Sequence, residues 1–406
     1  MKNSREQTGN KSMRQDRERN RASVIYFTER GKALGEKIRE KLKNARPELS
    51  LRMGRMPGQS LQEWCREAFE DSQLLIFVGA AGIAVRAIAP FVRDKFTDPA
   101  VLVLDEQGNY VIPILSGHVG GGNRWAAFLA EELPAVPVIT TATDLYGKFA
   151  VDVFAAGNGL VLSDRRLAKE ISGAVLRGKK IEFYCEKPGI LLPGKSSGSA
   201  AAPVGNFPKD LLWKEWNEAE DGRQEEKNTP ETSVPGDGRE KPQPERGNYR
   251  IYTGIHDFRE QEGTLCLFPK AVVIGIGCRK GKSAEEIERF VKKVLKEQRI
   301  APESVCCLAS ADRKKEEGGI LAFAEKYRIP FYTFSAKELA QVPGTFTSSE
   351  FVKQTMGIEN ICERAAVKAA MERSRREYMP ALLQKKTAEH GMTLALAEQE
   401  WSVVFE

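Results

Sequence analysis

Apolar residues recur along this chain with two different periods, and the two take turns. Residues 23–28 read as a strand, and Leu34, Ile38 and Leu42 then fall on one face of a helix. A second helix spans roughly Leu61–Phe69. Leu74–Val78 is a short apolar run of the kind found in strands buried on both faces. It ends at Gly79-Ala80-Ala81-Gly82; a helix through Ile83–Ala89 follows, and Pro90 stops it. Ala100–Leu104 and Tyr110–Leu115 are strands about the turn at 105–109. Ser116-Gly117-His118-Val119-Gly120-Gly121-Gly122-Asn123 then leads into a helix to about Glu132, and Val136–Thr140 is a further strand. Strands alternating with helices predict an α/β domain with a mainly parallel sheet.

Beyond Asp144 the pattern is less regular. Leu160–Leu176 has helical spacing and Ile181–Tyr184 reads as a strand. From about Pro193 to Asn248 the chain is rich in Pro, Gly, Ser and charge, which predicts a poorly ordered insertion dispensable for folding. Tyr249–Tyr252 and Thr264–Leu267 resume as strands. A third unit opens at Ala271 with the strand Val272–Ile276 and a capping box at Ser283 and Glu286. Behind the box, Ile287, Phe290, Val291, Val294 and Leu295 form one helical stripe. Ser304–Ala309 and Pro330–Phe334 read as strands and Glu316–Tyr327 and Gly357–Met371 as helices. Met392–Ala397 and Trp401–Phe405 read as terminal strands. The expected organisation is a basic disordered tail at 1–22 and an N-terminal α/β domain at 23–146. A small middle domain at 147–270 follows, interrupted at about 193–248, and then a separate C-terminal α/β domain at 271–406.

Composition narrows the function classes. The chain has 406 residues, 41% of them hydrophobic, and no apolar stretch long enough to span a bilayer. Of the formal charge of +6, most sits in residues 1–22, where seven basic side chains face three acidic ones. The remainder is too nearly neutral for a nucleic-acid-coating protein. The tail has no apolar core, so it is not a secretory signal and the chain is expected in the cytoplasm. Seven cysteines form no CxxC pair, and His118, His256 and His390 are the only histidines. Neither a structural zinc nor an imidazole-built metal centre is expected.

The segment Ser116–Asn123 is the most informative for chemistry. Three consecutive glycines, Gly120, Gly121 and Gly122, stand before a helix, where backbone can approach a ligand and amides attract an anion. His118 in this loop is either a general base or a side chain bonded to the backbone of a tight turn. Gly79 and Gly82 also join a strand to a helix, where small residues equally serve close packing. Arg86 lies one turn into an otherwise apolar helix, where a charge calls for a partner. Thr140 and Thr141 follow a strand, and Asp144 is an acid/base group, an orienter of His118 or a turn-forming aspartate. Gly275-Ile276-Gly277-Cys278-Arg279 invites a dinucleotide reading but lacks the third glycine at the required spacing.

These stretches together resemble the cobalt-precorrin-5A hydrolase family (CbiG). The resemblance runs through Phe77–Pro90, Asp94-Lys95, Thr97–Val101, Ile114–Gly121 with Asn123, and Ile139–Asp144. It continues in Asn158-Gly159-Leu160, Ser163-Asp164-Arg165, Gly275–Arg279, Ala309-Ser310, Ser349–Val352 and Glu363–Ala366. Nearly the whole chain from residue 23 is covered. Gly122 stands where the family more usually has alanine, and the insertion at 193–248 is longer than the family's linker.

The resemblance implies a substrate that is a cobalt-bound, polycarboxylate tetrapyrrole. Its ring A acetate is closed as a lactone onto a methylated bridging carbon. Hydrolysis opens the lactone, and that carbon leaves with its methyl group as acetaldehyde, giving cobalt-precorrin-5B on the way to cobalamin. Cobalt arrives with the substrate, so no cofactor of the chain's own is expected. Residue chemistry then assigns His118 as base and Asp144 as its orienter or replacement. It assigns the amides around Gly120–Gly122 as oxyanion donors and Arg86 and Lys95 as carboxylate partners. Ser116, Asn123, Gly79, Gly82, Thr140 and Thr141 line the site. The alternative is a non-catalytic tetrapyrrole-binding module that hands its cargo to other enzymes of the pathway. No nucleic acid or membrane partner is expected.

Overall fold

A computed structural model of the chain describes residues 20–94, 97–142, 146–186, 207–214, 248–348 and 360–405. The tail up to residue 19, and the stretches 193–206 and 215–247 of the expected insertion, lie outside the described residues. The chain divides into two units, Met1–Lys148 and Phe149–Glu406. Both are mixed α/β with mainly parallel strand pairing, which the periodicity predicts for the first.

In the first unit β1 (Arg21–Tyr26), β2 (Ser50–Met53), β3 (Leu74–Val78), β4 (Ala100–Leu104), β5 (Tyr110–Leu115) and β6 (Val136–Pro137) form one sheet. Their order is β2-β1-β3-β4-β5-β6. Every residue of β3 and β4 is buried, because helices cover both faces. Ile76, Val78, Leu102 and Leu104 meet α1 (Glu29–Ala45), through Leu34, Ile38 and Leu42, and α4 (Gly122–Glu132), through Ala126 and Leu129. The alternate residues Leu75, Phe77, Val101 and Val103 meet Trp64 and Ala68 of α2 (Leu61–Asp71) and Ala84 and Ile88 of α3 (Ala81–Ile88). This is the period-2 alternation of a doubly covered sheet. The helix starts follow local chemistry. Thr28 accepts the Gly31 amide at 3.1 Å, and Ser60 and Glu63 form a reciprocal capping box.

The second unit holds two five-stranded sheets. One has β7 (Val161–Leu162), β8 (Ile181–Cys185), β9 (Leu211–Lys214), β10 (Arg250–Thr253) and β11 (Thr264–Phe268), in the order β7-β11-β10-β8-β9. The other has β12 (Val272–Cys278), β13 (Val305–Ala311), β14 (Phe331–Phe334), β15 (Ala381–Glu389) and β16 (Met392–Glu398), in the order β14-β13-β12-β16-β15. Helices α7 (Ala284–Glu297) and α8 (Gly318–Tyr327) cover one face of the latter, and α10 (Cys362–Glu372) the other.

Several expectations are corrected. The stretch 193–248 is not insertion throughout: Leu211 to Lys214 is β9, with Leu211 buried and Trp213 stacked on Phe183 at 5.8 Å. Leu160–Leu176 is not one helix. Val161 and Leu162 pair with Phe268 and Leu267, and the helix α6 runs only over Arg165–Leu176. Asp164 sets that start by accepting the Arg166 and Leu167 amides at 2.7 and 3.1 Å. Trp401–Phe405 is not a strand. It is a strap whose Val403 is buried in the core of the β8–β11 sheet, and Asn158 bonds both the amide and the carbonyl of Val404. The helix expected from Gly357 includes neither Asn360 nor Ile361 and is described from Cys362, while 357–359 lie outside the described residues.

The glycine pattern at 275–277 has a packing explanation. A Cβ at Gly275 would lie far inside contact distance of the Cys362 carbonyl oxygen on α10, and one at Gly277 would lie 2.7 Å from Thr393 Oγ1. Gly275→Ala therefore has to push α10 off β12. It is expected to cost about 3 kcal/mol or more, at the upper end of overpacking penalties. Urea unfolding followed by circular dichroism measures this, and an unchanged midpoint would show that the contact is not needed.

Candidate functional site

The strand directions decide which of the predicted site residues meet. β1, β2, β3 and β4 are all parallel. β5 then pairs antiparallel with β4, Val101 facing Leu115 and Leu104 facing Val111. β6 runs parallel to β5. The chain therefore leaves β3 at one edge of the sheet and leaves β5 and β6 at the other. Gly79 follows Val78 and donates to the Leu104 carbonyl at 2.8 Å, whereas Ser116 follows Leu115 beside the start of β4. At about 3.3 Å per residue the two edges lie on the order of 15 Å apart.

One edge carries Gly79, Gly82 and Arg86. It lies beyond the carboxyl ends of β1 and β3, where the sheet order reverses direction and open α/β sheets place their crevice. Gly79 adopts φ 154°, and a Cβ there would sit 3.0 Å from the Phe27 ring. Arg86 is exposed on α3 and bonds the Gly82 carbonyl at 3.0 Å, so its own helix and water satisfy it. Facing solvent, the Arg86 charge requires no ligand, contrary to the expectation from its apolar helix.

The other edge carries the loop from Ser116 to Asn123, together with Thr140 and Thr141. Asn123 is buried and donates from Nδ2 to Thr141 Oγ1 at 3.0 Å, which joins two of the predicted segments directly. The loop closes on itself. Gly121 donates to the His118 carbonyl at 3.2 Å, Gly122 to Ser116 at 3.1 Å, and Asn123 to Gly117 at 2.6 Å. Gly121 caps α4 at φ 76°, and a Cβ at Gly120 would lie 2.5 Å from the Ser116 Cβ. The glycines are thus demanded by the turn itself.

This closure corrects the expected oxyanion donors. The Gly121 and Gly122 amides are occupied within the turn. Among the described residues the Val119 and Gly120 amides have no partner, and Val119 was not singled out from sequence. His118 is half-buried on this loop. The loop preceding β4 starts at the same edge, with Asp98 accepting the Arg93 and Asp94 amides at 2.8 and 3.0 Å. Lys95 on that loop and Asp144 after Ala142 lie outside the described residues.

A second polar cluster, unmarked in the sequence pattern, lies in the other unit. Glu186 follows β8 and accepts from Tyr252 Oη, from the Ile255 amide at 2.8 Å, and from the His256 amide at 3.3 Å, and its carboxylate also bonds His256 Nδ1. Burial, and then the Glu186 carboxylate, push the Tyr252 hydroxyl well above its ordinary pKa. Burial likewise pushes up the Cys278 thiol, which makes it a poor nucleophile. Among the described residues no group of three or more His, Cys, Asp or Glu side chains is placed to hold a metal. No helix among them is long and apolar enough to cross a membrane.

Two family models match the chain: cobalamin synthesis G N-terminal over residues 63–144, and cobalamin synthesis G C-terminus over residues 272–397. Every predicted site residue from Gly79 to Asp144 falls in the former. A cobalt-precorrin-5A hydrolase of Salmonella typhimurium is 32% identical over 308 residues, covering 74% of this chain and 77% of that protein. One from Priestia megaterium is 31% identical over 303 residues, covering 74% and 73%. The crystal structure of a cobalamin biosynthesis protein G homolog from Sulfolobus solfataricus covers 94% of this chain and 98% of its own, at 21% identity and a TM-score of 0.38.

The two edges are expected to respond differently to an added methyl group. Gly120→Ala meets the Ser116 side chain and, at 2.8 Å, its carbonyl oxygen, and should lower stability by about 1–3 kcal/mol. Gly82→Ala meets only the flexible Arg86 side chain at 3.4 Å and removes a helical glycine. It should be neutral or stabilising by up to about 1 kcal/mol. Thermal melts of the two variants check this; equal losses would mean that the Ser116–Asn123 turn is not the tighter of the two.

Proposed function

The chain belongs to the cobalamin synthesis G family, and from that premise we propose that it hydrolyses cobalt-precorrin-5A in the cytoplasm. The reaction opens the ring A acetate lactone and releases the bridging carbon as acetaldehyde. The observation that carries the assignment to a place in the fold is the Ser116–Asn123 turn. It holds His118, half-buried, and the Val119 and Gly120 amides, which have no partner among the described residues, at the edge where β5 and β6 end.

In this reading His118 takes a proton from water as the water oxygen adds to the lactone carbonyl carbon. The negative charge that develops on the carbonyl oxygen is met by the Val119 and Gly120 amides at the start of α4, where the helix dipole also favours it. The tetrahedral adduct collapses with cleavage of the bond to the lactone oxygen. That oxygen stays, as an alkoxide, on the methylated bridging carbon; its electron pair forms the acetaldehyde carbonyl as the bond to the macrocycle breaks, and the pair of the broken bond stays on the macrocycle. Asp144 is the candidate to orient His118 or to replace it, and Lys95 the candidate to hold a carboxylate of the substrate. Thr140 and Thr141 line this edge. Arg86, on the far edge, is left with at most a distant carboxylate. Hydrolysis is redox-neutral and cobalt enters as part of the substrate, so the reading asks for no cofactor held by the chain. Product release to the next enzyme of the pathway is part of the same proposal.

The test is acetaldehyde release on incubation with the lactone substrate. His118→Ala should keep substrate binding and lose about a hundredfold to ten-thousandfold in rate, the usual cost of removing a general base. Near-normal turnover by His118→Ala would remove His118 from the mechanism. Tight binding without any acetaldehyde, in the wild-type chain, would favour a handover module instead.

A further inference from the structure

Ser116 carries two costs that nothing among the described residues offsets. It is not glycine, yet it adopts φ 48°, in the left-handed region where a side chain is crowded. Its hydroxyl oxygen is fully buried and has no hydrogen-bond partner among the described residues. The surrounding turn holds the residue in this state. The Ser116 carbonyl accepts the Gly122 amide at 3.1 Å, a Cβ at Gly122 would lie 3.2 Å from that oxygen, and a Cβ at Gly120 would lie 2.5 Å from the Ser116 Cβ. Gly117, Gly120, Gly121 and Gly122 stand in the same loop, and yet the left-handed position that closes β5 bears a side chain. A glycine there would relieve the backbone, and an alanine would remove the orphaned oxygen. Strain and an unsatisfied buried group that persist together point to a partner that arrives with a ligand.

We propose that the Ser116 hydroxyl is a further catalytic group, donating a hydrogen bond to the lactone carbonyl oxygen as it becomes an oxyanion. The role rests on the lactone-hydrolysis reading. The Ser116 Cβ packs against Gly120, and the Val119 and Gly120 amides of the same turn have no partner among the described residues. Rotation about its single side-chain bond is the smallest motion that turns the hydroxyl outward. No proton is transferred and no bond to Ser116 forms. The donor stabilises charge that exists only in the transition state and the tetrahedral adduct, so it should act on kcat and leave KM nearly unchanged.

Ser116→Ala and Ser116→Gly test this by a combination that a structural role does not give. Both variants are expected to unfold at the same or higher denaturant concentration than the wild-type chain. Their kcat for acetaldehyde release should fall about a hundredfold to a thousandfold, the usual effect of losing one oxyanion donor, with KM changed by no more than a few-fold. A less stable Ser116→Ala with unchanged kcat would overturn the proposal and show that the hydroxyl is held by a trapped water. A substrate-derived adduct on the Ser116 peptide, found by mass spectrometry during turnover, would also overturn it, in favour of a nucleophile. Normal wild-type release with near-normal kcat in Ser116→Ala removes this role alone. Absence of release by the wild-type chain removes the lactone reading as well.

Discussion

The antiparallel pairing of β5 with β4 is the constraint on which the layout of the N-terminal unit depends. Four strands run one way, and a crossover after β4 would have placed Ser116 beside Gly79. A tight turn reverses the chain instead. Asp105 folds that turn by accepting the Gln107 amide at 2.9 Å and the Tyr110 amide at 2.8 Å, and Gly108 supplies the left-handed residue at φ 76°. From then on β5, its loop and β6 belong to the opposite edge. Thr141 meets Asn123 because both strands that lead to them run the same way.

Much of this fold was legible in the sequence. Short apolar runs gave β3 and β4, the spacing of Leu34, Ile38 and Leu42 gave α1, and Ser283 with Glu286 marked the start of α7. What escaped were elements whose signal is not local. β15 reads as Ala-Leu-Leu-Gln-Lys-Lys-Thr-Ala-Glu, a mostly half-buried edge strand without an apolar alternation. β9 is four residues inside a polar stretch, recognisable only by its partner β8. The strap at 401–405 looks like a strand, because Trp, Val and Phe alternate there for a core built by other elements. For the candidate site, the glycine-rich loop was visible. Period-2 patterning carries no strand direction, so the separation of Gly79 from Ser116 was not. Neither were the amides that the turn consumes, nor the solvent that surrounds Arg86.

Glycine serves two physical ends in this molecule. At Gly275 it lets α10 lie directly on β12, and the result is a dense core with no chemistry attached. At Gly120, Gly121 and Gly122 it lets a loop fold back on the end of β5, and the result is a strained serine in the same turn as amides that have no partner among the described residues. The second arrangement is held because β5 pairs with β4, which is buried along its whole length. A rigid scaffold of this kind can carry local strain that a freer loop would relax.

The central claim is that the substrate is worked on at the edge where β5 and β6 end, and not in the crevice where β1 and β3 end. Amide hydrogen exchange with and without saturating lactone substrate or opened product tests it directly. The account predicts slowed exchange in the segment from Leu115 to Asn123 and around Thr140 and Thr141, with little change from Gly79 to Arg86. Protection confined to Gly79–Arg86, with the Ser116–Asn123 segment unaffected, would contradict it.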